Sequence, residues 1–276
     1  MKKNTPRSNR ASIKRLLVKS RLLIIIVGIT VLGTVAYTSF AATPSILIKV
    51  ASFNLLGQQW DGATPHDTWD QRKPRIKNII SSWGPGIIGM QEVSAKDPNK
   101  GNKLDQRNDT SEFMQKLGYA GVYGSIDNSD PIFWRTDNFS LVGKREVLIV
   151  QAHPGKPQPA ARYLTHVRLE NNGKYLSVFN YHYNQTWDKE EQLDRLKTAV
   201  NDITTKGDAI VFTGDFNGYQ SKIVSKIQRL RVLDSADGPD HVIGSDSIVT
   251  RKWELLPQSN PTASDHRMIT TNLTVN

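Results

Sequence analysis

The segment Val211-Phe212-Thr213-Gly214-Asp215-Phe216-Asn217 decides the fold. Ala209 to Thr213 is an apolar run of strand length that stops at a glycine. A carboxylate and an amide follow, two positions apart. If the chain stays extended there, Asp215 and Asn217 point to the same side. Side chains just past a buried strand have left the core and can meet a ligand. Both offer oxygen to a hard cation such as Mg²⁺ or Ca²⁺. Taken alone, the same residues also describe a turn, because Asp and Asn hydrogen-bond their own backbone.

Four further stretches stand in the same setting. Ser52-Phe53-Asn54 ends a strand pattern that begins at Ile46, Met90-Gln91-Glu92-Val93 ends a second, and Asn180-Tyr181-His182 ends a third. Ser264-Asp265-His266 lies near the C-terminus. This ordered set resembles the endonuclease/exonuclease/phosphatase superfamily, which includes deoxyribonuclease I, exonuclease III and neutral sphingomyelinases. The resemblance runs from about Ile46 to Val275. It implies an α/β fold, a four-layer sandwich of two packed mixed β-sheets flanked by helices, and divalent-metal-dependent phosphoester hydrolysis.

The sequence pattern alone gives adjacent strand pairs separated by single helices. Strands are expected at 46–53, 87–90, 131–135, 139–150, 162–170, 174–182, 208–213, 240–243, 247–253 and 267–275. Helices are expected at 70–83, 111–117, 188–206 and 220–230. Asp97 to Thr110 reads as a loop, and Asn171-Asn172-Gly173 as a hairpin turn. Strand ends from two sheets would meet at one edge, so that residues distant in sequence share a cleft.

Phosphodiester hydrolysis needs an activated water, charge stabilisation on the phosphoryl oxygens and help for the departing alkoxide. Glu92, a carboxylate after a buried strand, suits a metal ligand. The resemblance adds Asn54 and Asp265 to the metal set, with Mg²⁺ the expected ion and Ca²⁺ or Mn²⁺ the alternatives. His266 titrates near neutrality and suits proton transfer. By resemblance it contacts the scissile phosphate, with Asp240 orienting it. His182 resembles a second catalytic histidine, Asp215 the group that orients or deprotonates water, and Asn217 one that holds a phosphate oxygen or metal-bound water. Arg162 resembles an arginine on the substrate phosphate, a contact its planar fork suits. His241 is expected to be structural. Many family members carry a carboxylate that pairs with the second histidine. Asn128 stands in that place here, between Asp127 and Asp130, so His182 either lacks its partner or borrows a neighbouring Asp. Gly84-Pro85-Gly86 replaces another usual acidic residue.

The formal charge of +10 invites a nucleic-acid reading, but its distribution argues against using it. Residues 1–42 hold eight Lys or Arg and no acid, leaving 28 basic against 26 acidic residues in the rest. The absence of Cys excludes disulfides, thiolate metal sites and Cys nucleophiles. The basic stretch to Arg21 precedes an apolar run from Leu22 to Ala36, and Ser39-Phe40-Ala41 offers a cleavage site. The segment is either a signal peptide cut after Ala41 or Ala42, or an uncleaved anchor reaching Ala42. Both place the domain at 45–276 outside the cytoplasm, secreted or held on the outer face of the cytoplasmic membrane. The leading expectation is a DNA endonuclease, working as a monomer. The alternatives are a phosphoesterase acting on a lipid head group or small phosphodiester, and a binding module that keeps the fold without the chemistry.

Overall fold

The computed structural model describes residues 44–61, 66–94, 105–125, 128–155, 160–186, 188–257 and 262–276. The N-terminal basic and apolar segment, residues 1–42, and Asp127 lie outside the described residues. Among the described residues, twelve strands form two six-stranded sheets. The first contains β1 (Ile46–Asn54), β2 (Ile87–Gln91), β3 (Tyr119–Val122), β4 (Ile132–Arg135), β11 (Ile248–Leu255) and β12 (Ile269–Val275), in the order β11-β12-β1-β2-β4-β3. The second contains β5 (Ser140–Val150), β6 (Arg162–Asn171), β7 (Lys174–His182), β8 (Ala209–Asp215), β9 (Leu230–Val232) and β10 (Asp240–Ser245), in the order β5-β6-β7-β8-β10-β9. Helices α1 (Trp69–Trp83) and α2 (Gln106–Lys116) pack on the first sheet, and α3 (Lys189–Ile203) and α4 (Gln220–Lys226) on the second.

Strand alternation sorts the apolar residues into three layers of core. Val50, Ile87, Val178, Val211 and Val242 meet between the sheets. Phe53, Ile88, Met90, Ile76, Ile80 and Phe113 fill the space under α1 and α2. Phe179, Tyr181, Phe212, Leu193, Leu196 and Ile223 fill the space under α3 and α4. The result is the four-layer sandwich that the sequence predicts.

Each sheet has one parallel pair at its centre, β1 with β2 and β7 with β8; all other neighbours are antiparallel. Parallel strands finish at the same edge, and antiparallel neighbours start there. β1, β2, β7 and β8 therefore end where β4, β6, β10 and β12 begin. That arrangement alone collects Asn54, Glu92, His182 and Asp215 from strand ends, and Asp130, Arg162, Asp240 and His266 from strand starts.

Several boundaries differ from the sequence expectation. The helix expected from Ser111 begins at Gln106, because Asp105 caps it by accepting from the Asn108 amide at 3.0 Å. The helix expected to reach 230 stops at Lys226, and Leu230–Val232 pairs with β10 as an edge strand. Strand β3, four residues paired with β4, carries no alternation of its own to mark it. Gly84 is the left-handed cap of α1 (φ 61°), and the Gly86 amide donates to the Lys49 carbonyl, a structural use of Gly84-Pro85-Gly86.

Candidate active site

The residues that face the inter-sheet seam change character along each central strand. On β1 they run Val50, Ser52, Asn54; on β2, Ile87, Gly89, Gln91; on β7, Val178, Asn180, His182; on β8, Val211, Thr213, Asp215. An apolar layer gives way to a small polar layer, then to the groups at the catalytic edge. The polar layer clips the sheets together. Asn180 donates to the Met90 and Pro131 carbonyls at 2.6 and 3.0 Å, and accepts from Gln91 at 2.7 Å and Thr213 at 3.1 Å. A Cβ on Gly89 would stand 1.9 Å from Thr213 Oγ1, so only glycine lets the sheets approach this closely.

At the edge, one oxygen acts as a hub. Asp215 Oδ2 accepts from Asn54 Nδ2 at 3.0 Å and lies 3.5 Å from His182 Nε2 and 3.9 Å from His266 Nε2. The same Asn54 nitrogen donates to Glu92 Oε1 at 3.1 Å, so one amide links carboxylates from both sheets. Glu92 Oε2 accepts from the Gly57 amide, and Asn54 Oδ1 from the Leu56 amide. Leu56, Glu92 and Asn217 all adopt positive φ, at 57°, 60° and 49°. Such backbone costs energy for non-glycine residues and concentrates at functional sites.

Asn217 decides between the extended and the turn readings of the opening segment in favour of the turn. The strand ends at Asp215, and the Asn217 amide folds back onto Asp215 Oδ1 at 3.1 Å. Its side-chain nitrogen donates to the Tyr183 carbonyl at 2.9 Å. The short Asx turn wins because the Asp carboxylate satisfies an otherwise free N–H.

The two histidines differ sharply. His266 Nδ1 meets Asp240 Oδ2 at 2.6 Å. Burial works against its charge, but that hydrogen bond and the charges of Asp240, Asp215 and Asp265 outweigh it and push its pKa up to about 9. Asp240 is itself pushed up to about 6, chiefly by burial, with His266 opposing. At neutral pH the pair is carboxylate and imidazolium. Burial lowers His182 well below the usual histidine range, and the positive charges of Arg162 and His266 add to it. Its Nδ1 is buried without a hydrogen-bond partner. Asn128, in the expected carboxylate position, donates instead to Glu146 and Thr165 at 2.9 and 2.8 Å. Asp130 is buried as well, and burial raises its pKa to about 7 despite the Arg162 charge. Arg162 opens β6 at this edge with its Nε buried and unpaired. His241 is structural: its nitrogens face Asp234 Oδ1 at 2.7 Å and the Gly238 carbonyl at 3.0 Å.

The Endonuclease/Exonuclease/phosphatase family model matches residues 51–266. The chain belongs to that family. Its members hydrolyse phosphoester bonds and generally use a divalent metal. An endonuclease/exonuclease/phosphatase family protein from Bacteroides thetaiotaomicron superposes with a TM-score of 0.70 at 20% identity, covering 85% of this chain and 97% of that one. The mannosyl-6-phosphatase of the same organism gives 0.66 at 20% identity, covering 82% and 99%. D. rerio TDP2 complexed with single strand DNA product gives 0.62 at 12% identity, covering 82% and 98%. These likenesses establish the shared fold. No curated protein matches the chain in sequence.

The family's metal can be tested against the residues present. Ligand atoms of Asp215, Asp240 and His266 lie within 4.8 Å of one another. Asp240 Oδ1 is buried with no partner, and Glu92 faces the same seam through Asn54. An oxygen-rich set with an orphaned buried carboxylate oxygen fits a hard divalent cation. Of the three residues expected as ligands, Glu92 and Asn54 lie at the hub, and Asn54 turns its nitrogen toward the carboxylates. Asp265 stands exposed at the rim, where its carboxylate accepts from Ser264.

Two positioning residues had no role assigned from the sequence: Arg72, and Ser264 of the Ser264-Asp265-His266 motif. Arg72 on α1 is buried, and it donates to the carbonyls of Leu55, Leu56 and Ala263 and to Asp61. It thereby holds the loop after Asn54 beside the segment before His266. Ser264 donates to the Asn54 carbonyl at 2.7 Å and accepts from the His266 amide at 3.2 Å.

Proposed function

We propose that this edge hydrolyses phosphodiester bonds of nucleic acid, DNA in the first place, outside the cytoplasm and with Mg²⁺ as the working ion. The hub carries the reading: a single carboxylate oxygen of Asp215 faces two imidazoles and an amide. A water in that seam has Asp215 to accept its proton. His266 keeps its proton at neutral pH, so it meets a phosphoryl oxygen as a charged donor. His182 is neutral and offers a hydrogen bond to the leaving oxygen rather than a proton. Arg162, with an unspent buried N–H, suits the substrate phosphate. A divalent ion would be held from Asp215 and the free oxygen of Asp240, with Glu92 joined to the same edge through Asn54, and would supply Lewis-acid charge to the phosphoryl group. The basic and apolar leader supports the location, and the family's range of substrates supports the bond type.

A small phosphoester is the second reading. A cavity of about 220 Å³ beside His266, lined by Asp240, Leu255, Asp265 and Arg267 among others, has room for a sugar phosphate. The test is turnover of plasmid DNA, bis-p-nitrophenyl phosphate, mannose 6-phosphate and sphingomyelin, each with Mg²⁺ or chelator. Mg²⁺-dependent nicking of plasmid is expected. Turnover of mannose 6-phosphate alone moves the substrate to monoesters, and of sphingomyelin alone to lipid. Turnover that ignores chelator overturns the metal.

A further inference from the structure

Immediately beside the catalytic edge, on the helix side of the second sheet, stands a rigid aromatic pair. Tyr183 directly follows His182, and Tyr219 is two residues past Asn217. Their rings stack at 4.3 Å with 16° between planes. Tyr183 is fully buried; its hydroxyl donates to the Lys189 carbonyl at 2.9 Å, and its amide to the Asp215 carbonyl at 2.8 Å. The pair is thus fixed to the catalytic strands themselves. Over the Tyr219 ring lie two ammonium groups, Lys189 at 5.7 Å and Lys222 at 5.1 Å from the centroid. Both lysines are exposed, and among the described residues neither is in an ion pair. The surrounding acids are taken: Asp188 by His153, Glu191 by Arg195 and Asp194 by Lys226. Among the described residues of this turn, Glu190 is the acid with no ion pair.

Two flexible side chains of like charge over one ring are held where entropy and repulsion would disperse them. The ring's negative face offsets part of that cost, and an anion between them would offset more. We propose that Tyr219, Lys189 and Lys222 form a subsite for a second phosphate of the same strand, flanking the scissile one. This rests on the phosphodiesterase reading above. With Tyr183 on one face and ammonium groups over the ring, Tyr219 has little surface left for a base. The subsite therefore reads backbone charge and not sequence.

The test uses the full chain and its K189A/K222A variant, whose altered side chains are exposed. In chelator, fluorescence anisotropy measures binding of a short labelled single-stranded oligonucleotide across a salt series. Losing the one phosphate contact that this subsite makes flattens the slope of log Kd against log salt by about 0.7. With Mg²⁺, the ratio of kcat/KM for the oligonucleotide to that for bis-p-nitrophenyl phosphate falls about tenfold in the variant. Y219L, which keeps both charges and loses their platform, falls between. An unchanged slope and ratio in K189A/K222A overturn the subsite. If the unaltered chain cleaves neither substrate, the phosphodiesterase reading fails, while the salt slope still decides whether a second phosphate binds here.

Discussion

His266 and His182 approach the same carboxylate oxygen, yet their surroundings push them apart. His266 precedes β12 on a turn, half-buried, with Asp240 on its Nδ1. His182 ends β7 fully enclosed, with nothing on its Nδ1. One is held as a cation at neutral pH and the other as a neutral ring. Two things differ: His182 is the more deeply buried ring, and His266 has the Asp240 carboxylate on its Nδ1 where His182 has no partner. A matching set of residue types therefore does not fix a matching set of roles; the burial and the partner of each ring do.

The largest effect that can break this comparison is on His266. The variant His266→Ala loses ~10²–10⁴-fold in kcat, because its charge and proton have no substitute. Steady-state turnover of bis-p-nitrophenyl phosphate measures it, and a loss under threefold contradicts the assignment. Next comes Arg72→Ala, which leaves buried carbonyls of the site loops unpaired and costs about 3–5 kcal/mol in urea unfolding. Arg72→Lys recovers only part, since one ammonium cannot reach the same set of acceptors.

Asp240→Asn sharpens the comparison by making His266 resemble His182. With the carboxylate raising His266 to about 9, activity that needs the imidazolium persists below that pH and falls above it. Removing the carboxylate lowers the His266 pKa, so the alkaline fall moves toward neutrality, with a loss on the order of 10²-fold at its new shoulder. An alkaline limb that stays in place shows that Asp240 does not set the charge. The smallest effect is for His182→Ala, about tenfold or less. A loss as large as that of His266→Ala means that a neighbouring Asp supplies the missing partner after all.

Much of this was legible in the sequence because strand ends concentrate chemistry. Ser52-Phe53-Asn54, Met90-Gln91-Glu92, Asn180-Tyr181-His182 and Gly214-Asp215 each follow an apolar strand, and the topology does the rest. The polar layer beneath left a signal that the sequence reading did not use: Ser52, Asn180 and Thr213 each stand two residues before the edge group of their strand, and Gly89 two before Gln91. Period-two reading at those positions distinguishes an inter-sheet clip from a catalytic group. Other features were not legible. Arg72 sits on a helix whose polar residues read as solvent-facing, and its acceptors come from two distant loops. Asn217 leaves the extended path through one Asx hydrogen bond; the sequence offers that turn beside the extended reading, and spacing does not choose between them. Strand β3 owes its existence to pairing with β4, and four residues carry too little pattern to announce it.

The most direct test of the two-histidine account is the protonation of the rings themselves. Imidazole nitrogen chemical shifts of the metal-free protein, followed from mildly acidic to alkaline pH and assigned with His266→Ala and His182→Ala, read both rings in one experiment. His266 is expected to hold its second proton until about pH 9, and His182 to stay neutral throughout. Two rings titrating together near the ordinary histidine value would contradict it.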